Sequence, residues 1–499
     1  MSELLTLDDY KTLAAKIRLP ELAFINGEFC AAASGKTFAT TNPATGEVLA
    51  NIAACGPEDV DRAVVAARDA FEDGRWSKLH PEKRKEVLLK LCQLIEANRH
   101  ELAVMESLDS GKPIADCENI DIPEFIHTLS WHAETIDKIY DQTAPVGEGA
   151  MAMIVREPIG VVGAVLPWNF PLLMLAWKIS PCLAAGCSMV LKPAAQTTLT
   201  ALRIAELAAE AGLPAGVLNM VTGSGSQVGE PIGRHMDIDM VTFTGSTATG
   251  RRFLNYSAES NLKKVVLELG GKNPCIVLDD AEDIERVAQQ VCAAAFWNMG
   301  ENCSAGSRLI VQSGIKQQLL ERVCHYAKDW TVGDPLDPQN ALGAMIDKGH
   351  FAKVASYLDL AAEKGYQVLT GGKTIDGIFI QPTIVDGVSN EDTIAREEIF
   401  GPILSVITVD SFEEAIKVAN DTEYGLAASV FTSNARKSLI AARAIRAGTV
   451  TVNCFGEGDV TTPFGGYKQS GFGGRDKSIH AHDQYTELKT IWVDLNQPA

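Results

Sequence analysis

The chain has 499 residues, 46% of them hydrophobic and 22% charged, the balance of an ordinary globular protein and too long for a single hydrophobic core. A formal charge of -20 argues against nucleic acid or an anionic membrane as partner. Eleven cysteines with no CxxC and no Cys/His zinc spacing fit reduced thiols, and no metal site is expected.

The N-terminal stretch "MSELLTLDDYKTLAAKIRLPELAF" mixes acids and bases and has no uninterrupted apolar core. It does not read as a secretory leader, and a cytoplasmic protein is expected. Residues 58–110 repeat apolar positions at helical spacing, with acids at the start of "PEDVDRAVVAARDAFEDG" and a Gly at its end. "DIPE" at 121–124 has the form of a capping box with Pro in the first turn. The most apolar stretch, "IGVVGAVLPWNFPLLMLAWKISPCLAAGCSMVL", is interrupted by Pro167, Asn169, Pro171, Lys178 and Pro181, which suits buried strands and turns and not a membrane span.

From there short β-branched runs alternate with helical ones. "GCSMVLKPA", "VLNMVTG" and "IDMVTFTGS" read as strands, while "TALRIAELAAEAGLP" and "VGEPIGRHM" read as helices. Such alternation predicts β-α-β units and a doubly wound parallel sheet, an α/β fold. It resumes after "VVLELGGKNPCIVLDD" and runs to about residue 452, so two α/β halves are expected to meet near Glu268. Segments near 140–158 and the tail "YTELKTIWVDL" fit neither half and read as strands that pair elsewhere, including with another subunit. "HAHD" at 480–483 reads as a surface loop, not a metal site.

Parallel sheets bind ligands beyond the C-terminal ends of their strands. Gly245 and Ser246 in "TFTGSTATG" follow such an end, where free N–H groups suit a pyrophosphate, although the pattern is neither GxGxxG nor a P-loop. Lys192 in "LKPAAQ" ends another strand, either placed for a ribose or merely solvated. Glu268 in "LELGGK" sits among apolar residues, which would raise its pKa toward that of a general base; a salt-bridged structural acid is the competing reading. Asn169 in "LPWNFPLLM" is stiffly held and could serve as an oxyanion donor or simply bond backbone. Cys303 in "FWNMGENCSAGSR" follows a helix in a Gly- and Ser-rich turn, where local N–H dipoles would lower its pKa. Cys92, Cys182, Cys187 and Cys292 lie in apolar runs and read as packing residues.

"PWNFP", "FTGST", "LELGGK", "FWNMGENC", "EEIFGP" and "PFGGYKQSG", in that order across about residues 20 to 495, resemble the NAD(P)-dependent aldehyde dehydrogenase superfamily. The resemblance implies a Rossmann-like cofactor domain from residues 1–138 and 159–267, a catalytic α/β domain over 268–475, and a small β arm from 139–158 and 476–499 that makes a homodimer or homotetramer. It implies Cys303 as nucleophile, Glu268 as general base and Asn169 as oxyanion donor together with the Cys303 N–H. Lys192 and Glu398 would hold the cofactor riboses, Gly245 and Ser246 would form the pyrophosphate turn, Phe400 would stand against the nicotinamide ribose, and Gly225, Trp168 and Ala195 would also bind the cofactor. Ala195 stands where many NAD-preferring members carry a Glu that repels a 2′-phosphate, so use of both NAD and NADP is expected.

"VREPIGVV", "DIPEF", "GDVTTPFGGYKQSGFGGRDKSIHA" and "ELKTIW" look most like the γ-glutamyl-γ-aminobutyraldehyde dehydrogenases of bacterial polyamine breakdown. The extra Gly in "GFGGRDKS" lies past the catalytic motifs and carries little weight. Phe170, Met174, Trp177 and Phe464 match substrate-tunnel positions, with core packing as the competing reading. Glu457 and Asp459 fall where the tunnel is lined, and Asp121 with Glu124 resembles an amine-binding acidic pair. The expected substrate is a small aldehyde with an ω-amino or γ-glutamylamino end; a betaine-aldehyde or broad-range dehydrogenase, or a catalytically silent homologue, are the alternatives.

Overall fold

The computed structural model describes residues 4–496. Its first sheet has eight strands, in the spatial order Glu28–Cys30, Ala23–Ile25, Leu218–Met220, Ser188–Lys192, Val161–Val165, Met240–Thr244, Lys264–Glu268, Gly471–Phe472. The five central strands are parallel, and Ala23–Ile25 and Gly471–Phe472 join them antiparallel. Numbered along the chain, those five lie in the order 3-2-1-4-5, so the winding reverses between Val161–Val165 and Met240–Thr244. That reversal opens a crevice at the strand ends, just before Pro167 and Gly245.

A second, seven-stranded sheet follows Glu268, in the order Gln367–Thr370, Thr383–Asp386, Ile403–Val409, Arg308–Gln312, Pro274–Val277, Ala427–Phe431, Thr449–Val452. Only its Gln367–Thr370 edge is antiparallel. Two α/β sheets meeting at Glu268 match the alternation in the sequence, with one exception. Gly471–Phe472, inside the span expected for the second half, returns to pair with Leu267 and Glu268.

A third sheet of Thr486–Asp494, Ala150–Pro158 and Gln142–Ala144 stands apart from both. Leu488 and Trp492 on its edge strand are 68% and 62% exposed. The expected arm segment 476–499 begins earlier, with Asp476 buried in the body of the protein, and its last three residues lie outside those described.

Two local expectations are corrected. The apolar stretch is not strands and turns throughout, because Pro171–Ala185 is a helix buried on every face with Pro181 inside it. A helix that is apolar all round is one surrounded by core. Asp121 does not cap a helix either: a π-helical turn, Cys117–Asp121, runs straight into Ile122–Thr135, and the Asp121 carboxylate makes no capping bond. "HAHD" lies on the short helix Ser478–Gln484, with His482 buried. Among the described residues no helix is long and apolar enough to cross a membrane, and no cluster of ligating side chains could hold a metal ion.

Candidate active site

The crevice of the first sheet faces the second, and one cleft between them is lined by Asn169, Met174, Glu268 and Cys303 together with Trp168, Gly245, Ser246, Glu398 and Phe400. Residues spread over more than 200 positions of sequence therefore share one wall. Each is aimed by its backbone.

Cys303 follows the helix Ile284–Phe296 and a tight turn, Trp297–Gly300, in which Asn298, Met299 and Gly300 all have φ between 54° and 68°. A Cβ on Gly300 would lie 2.3 Å from the carbonyl oxygen of Gly401, so only glycine fits that crossing. Asn298 Nδ2 donates to the carbonyls of Asn169 and Glu301 at 2.9 and 3.0 Å, and Asn169 Nδ2 donates to that of Glu301 at 2.9 Å. The Asn298 amide thus ties Asn169 to the turn that carries the thiol. Asn273 Nδ2 holds the Cys303 carbonyl at 2.8 Å from the other side.

The thiol is not lowered in pKa, as the turn suggested, but raised well above its ordinary value. Burial is the main cause, and the carboxylates of Glu457, Glu398 and Glu268 add to it. The sequence showed the N–H dipoles but not the three acids that the fold brings around them.

Glu268 ends the strand Lys264–Glu268, is buried, and has no hydrogen-bond partner on either side-chain oxygen. Burial, with Asp476 second, pushes its carboxyl well above the usual range, while Lys178 and Arg475 hold it back. Lys178 and Asp476 form a fully buried ion pair at 2.6 Å. Neither stood out in the sequence as a site residue, although a lone Lys in the apolar stretch 161–191 was the available signal. The "GFGGRDKS" run, which looked peripheral, supplies Asp476.

Of the cofactor-matched residues, Trp168, Gly245, Ser246, Glu398 and Phe400 line the cleft, whereas Lys192, Ala195 and Gly225 are not among its walls. Lys192 ends its strand buried, its Nζ bonded at 2.8 Å to the Pro193 carbonyl, and burial lowers its pKa to about 8. Gly225 opens a π-helical turn, Gly225–Gly229, and faces open space. Ser246 caps the helix Thr247–Ala258, so that helix presents its N-terminus to the cleft, and the buried Thr244 hydroxyl beside it has no partner. Glu398 accepts from the Gly271 N–H at 2.8 Å. A Cβ on Gly270 would come 2.2 Å from a Glu398 oxygen, so the Gly-Gly turn exists to admit that carboxylate. Phe400, at φ 63°, stands edge-on to Trp168 with ring centres 5.3 Å apart. His350, not anticipated, packs against both rings and bonds the Phe400 carbonyl at 2.7 Å. Burial lowers its pKa to about 4, so the ring is neutral and carries its proton on the bonded Nε2. A helix N-terminus, a buried lysine, an unpartnered hydroxyl and a strand-order reversal fit a dinucleotide.

The match is to the aldehyde dehydrogenase family, over residues 29–491. This chain belongs to that family. It is 64% identical to the aminoacetaldehyde dehydrogenase of Pseudomonas aeruginosa, over 99% of this chain and 100% of that one. It is 46% identical to the NADP/NAD-dependent aldehyde dehydrogenase PuuC of Escherichia coli, over 97% of each. A solved γ-glutamyl-γ-aminobutyraldehyde dehydrogenase of Burkholderia cenocepacia superposes with a TM-score of 0.97 at 48% identity, covering 99% of this chain and 100% of that one. As an aldehyde dehydrogenase the chain is an oxidoreductase acting on a small aldehyde with NAD or NADP.

The substrate-matched residues divide into two groups. Phe170 and Met174 line the cleft, and Trp177, one helical turn beyond Met174, packs on Phe464 with ring centres 5.1 Å apart. Glu457 is half-buried and accepts from the Ser304 hydroxyl at 2.5 Å, one residue from Cys303. Asp459 is exposed, 3.8 Å from His127, and Glu124 is exposed on the same side, close enough to raise the Glu457 carboxyl. Asp121 is different: it is buried and paired with Lys112 at 2.5 Å, so its charge is already answered. The proposed Asp121–Glu124 amine-binding pair is therefore not a pair in the fold.

Proposed function

We propose that the protein oxidises an ω-aminoaldehyde to the corresponding amino acid, with Cys303, Glu268 and Asn169 as its catalytic residues. Cys303, once ionised, bonds through Sγ to the carbonyl carbon, and the oxygen gathers negative charge facing the Asn169 amide. Bound NAD or NADP supplies the acceptor for the hydride that leaves that carbon. The carbon is then held as a thioester on Cys303. Glu268, unpartnered and high in pKa, takes a proton from water as the water oxygen attacks, and the Cys303 thiolate leaves as the acid is released. Lys192 and Glu398 would hold the riboses, Gly225, Gly245 and Ser246 the pyrophosphate, with Trp168, Phe400 and His350 around the nicotinamide end. Ala195, half-buried and uncharged three residues past Lys192, supports acceptance of NADP alongside NAD.

The observation that carries the substrate class is Glu457. Its carboxylate accepts from the Ser304 hydroxyl at 2.5 Å, one residue from Cys303, so a cation a few methylenes from the carbonyl is well placed to meet it. The names of the relatives, aminoacetaldehyde and γ-glutamyl-γ-aminobutyraldehyde dehydrogenases, support an amine-derived aldehyde, and with it a role in polyamine breakdown. We place the cofactor half in residues 1–138 and 159–267 and the catalytic half in 268–475, with the exposed sheet of 142–158 and 486–494 joining copies in a cytoplasmic homo-oligomer.

Steady-state kinetics on 3-aminopropionaldehyde and on butyraldehyde, its neutral counterpart, test the reading. Glu457→Gln and Asp459→Asn should raise KM for the cationic substrate by about tenfold, one lost charge contact, and leave the neutral one within about twofold. Equal effects on the two aldehydes would refute it.

A further inference from the structure

Lys477 takes no part in the proposed reaction, yet it is 6% exposed and its ammonium lies over two buried aromatic faces, 5.1 Å from the Trp177 ring centre and 5.8 Å from that of Phe464. Its Nζ donates to the Glu457 carbonyl at 3.0 Å, which fixes it in that wedge. The backbone beneath is strained. Lys477 has φ 61° and ψ 170°, a region that side-chain-bearing residues rarely occupy, and Ser478 follows at φ 57°. Paired bonds between Phe464 and Asp476 at 2.7 and 2.8 Å, and one from the Ser478 N–H to the Val460 carbonyl at 2.7 Å, hold the strain in place. Strain maintained by that many bonds marks a position where the side chain's placement matters.

An ammonium over paired aromatic faces is the arrangement by which proteins recognise quaternary ammonium ligands. Here the ligand's place is taken by the chain itself. We propose that Lys477 is a specificity-determining residue that fills the Trp177–Phe464 wedge with a resident cation and so excludes aldehydes bearing a bulky trimethylammonium group. The wedge lies in the tunnel assigned above, and the proposal rests on that reading. Burial lowers the Lys477 pKa, and the carboxylates of Glu457, Glu124, Asp459 and Asp476 oppose that shift and favour the charged form. A primary ammonium remains free to meet the carboxylates of Glu457, Asp459 and Glu124, because it needs no aromatic cage. A trimethylammonium head, which cannot donate hydrogen bonds to a carboxylate, has nowhere to go.

Betaine aldehyde and 3,3-dimethylbutyraldehyde share one shape and differ by one charge, so the ratio of their kcat/KM values reads the wedge directly. Lys477→Gly suits the strained backbone and empties the wedge, with Lys477→Ala as a second emptying variant. Lys477→Arg keeps a cation over the rings. Emptying should raise the ratio at least tenfold and the arginine variant should leave it within about threefold. No rise on emptying, or an equal rise in the arginine variant, overturns the proposal. The outcome is separable from the carboxylate reading: a wild-type enzyme that shows no preference for 3-aminopropionaldehyde over butyraldehyde, together with a gain on emptying, would sink only the carboxylate assignment.

Discussion

Gly465 decides whether Glu268 can point into the cleft. Its φ is 154°, and an added Cβ would lie 2.6 Å from Glu268 Oε1 and 2.6 Å from Arg475 Cδ. Comfortable carbon contacts are about 3.5 Å or more, so in Gly465→Ala the carboxylate must retreat by close to 1 Å. A displacement of that size at a reacting group costs roughly a hundredfold in rate. In the proposed reaction Glu268 acts on water after the thioester has formed, so the loss should fall on hydrolysis. Stopped-flow measurement should show a rapid burst of reduced cofactor, followed by a steady state slowed about 30- to 100-fold. Alkylation of Cys303 by iodoacetamide should stay within about twofold, which separates displacement of the base from general unfolding. A kcat within threefold of wild type and no burst would refute the assignment of Glu268 as base held by this contact.

Four further outcomes are expected. Glu268 must be ionised to act, so activity falls as pH drops through its raised pKa; removing the charge that helps raise it, in Asp476→Asn, should move the acidic limb of the kcat profile to lower pH, and a shift upward would contradict the arrangement. The same variant leaves Lys178 buried without its partner, at a cost of about 3–5 kcal/mol in chemical denaturation. Ala195→Glu should lower kcat/KM with NADP at least tenfold relative to NAD through like-charge repulsion, measured by steady-state kinetics with each cofactor, and an unchanged ratio would remove Ala195 from the specificity argument. Replacing Leu488 and Trp492 on the exposed edge strand by Lys and Glu should lower the assembly size seen by light scattering, while an unchanged mass would place the interface elsewhere.

The alternation of β-branched runs with helical ones was enough to place both sheets and their junction at Glu268, because strand and helix periods are written in nearest neighbours. Cys303, Glu268 and Asn169 were legible as well, each as a chemically apt residue at a strand end or stiff turn. Their common purpose was legible only through the order of the motifs around them. Residues whose role depends on one distant partner were not legible. Lys178 looked like an interruption until the fold set Asp476 against it at 2.6 Å, nearly 300 residues later. Asp121 looked available for an amine until Lys112 was found on it.

By itself the sequence determined the α/β architecture, the family and the candidates for the reacting groups, since these rest on local pattern and residue chemistry. Tertiary structure alone decided the electrostatics. Whether a thiol is raised or lowered, a carboxylate paired or free, and a cation cage open or filled depends on charges a few ångströms away in space. Coulomb interactions fall with distance through the fold and take no account of distance along the chain. Cys303 shows the division: its place in the motif made it the candidate nucleophile, while burial, with three acids from other parts of the chain, raises its pKa.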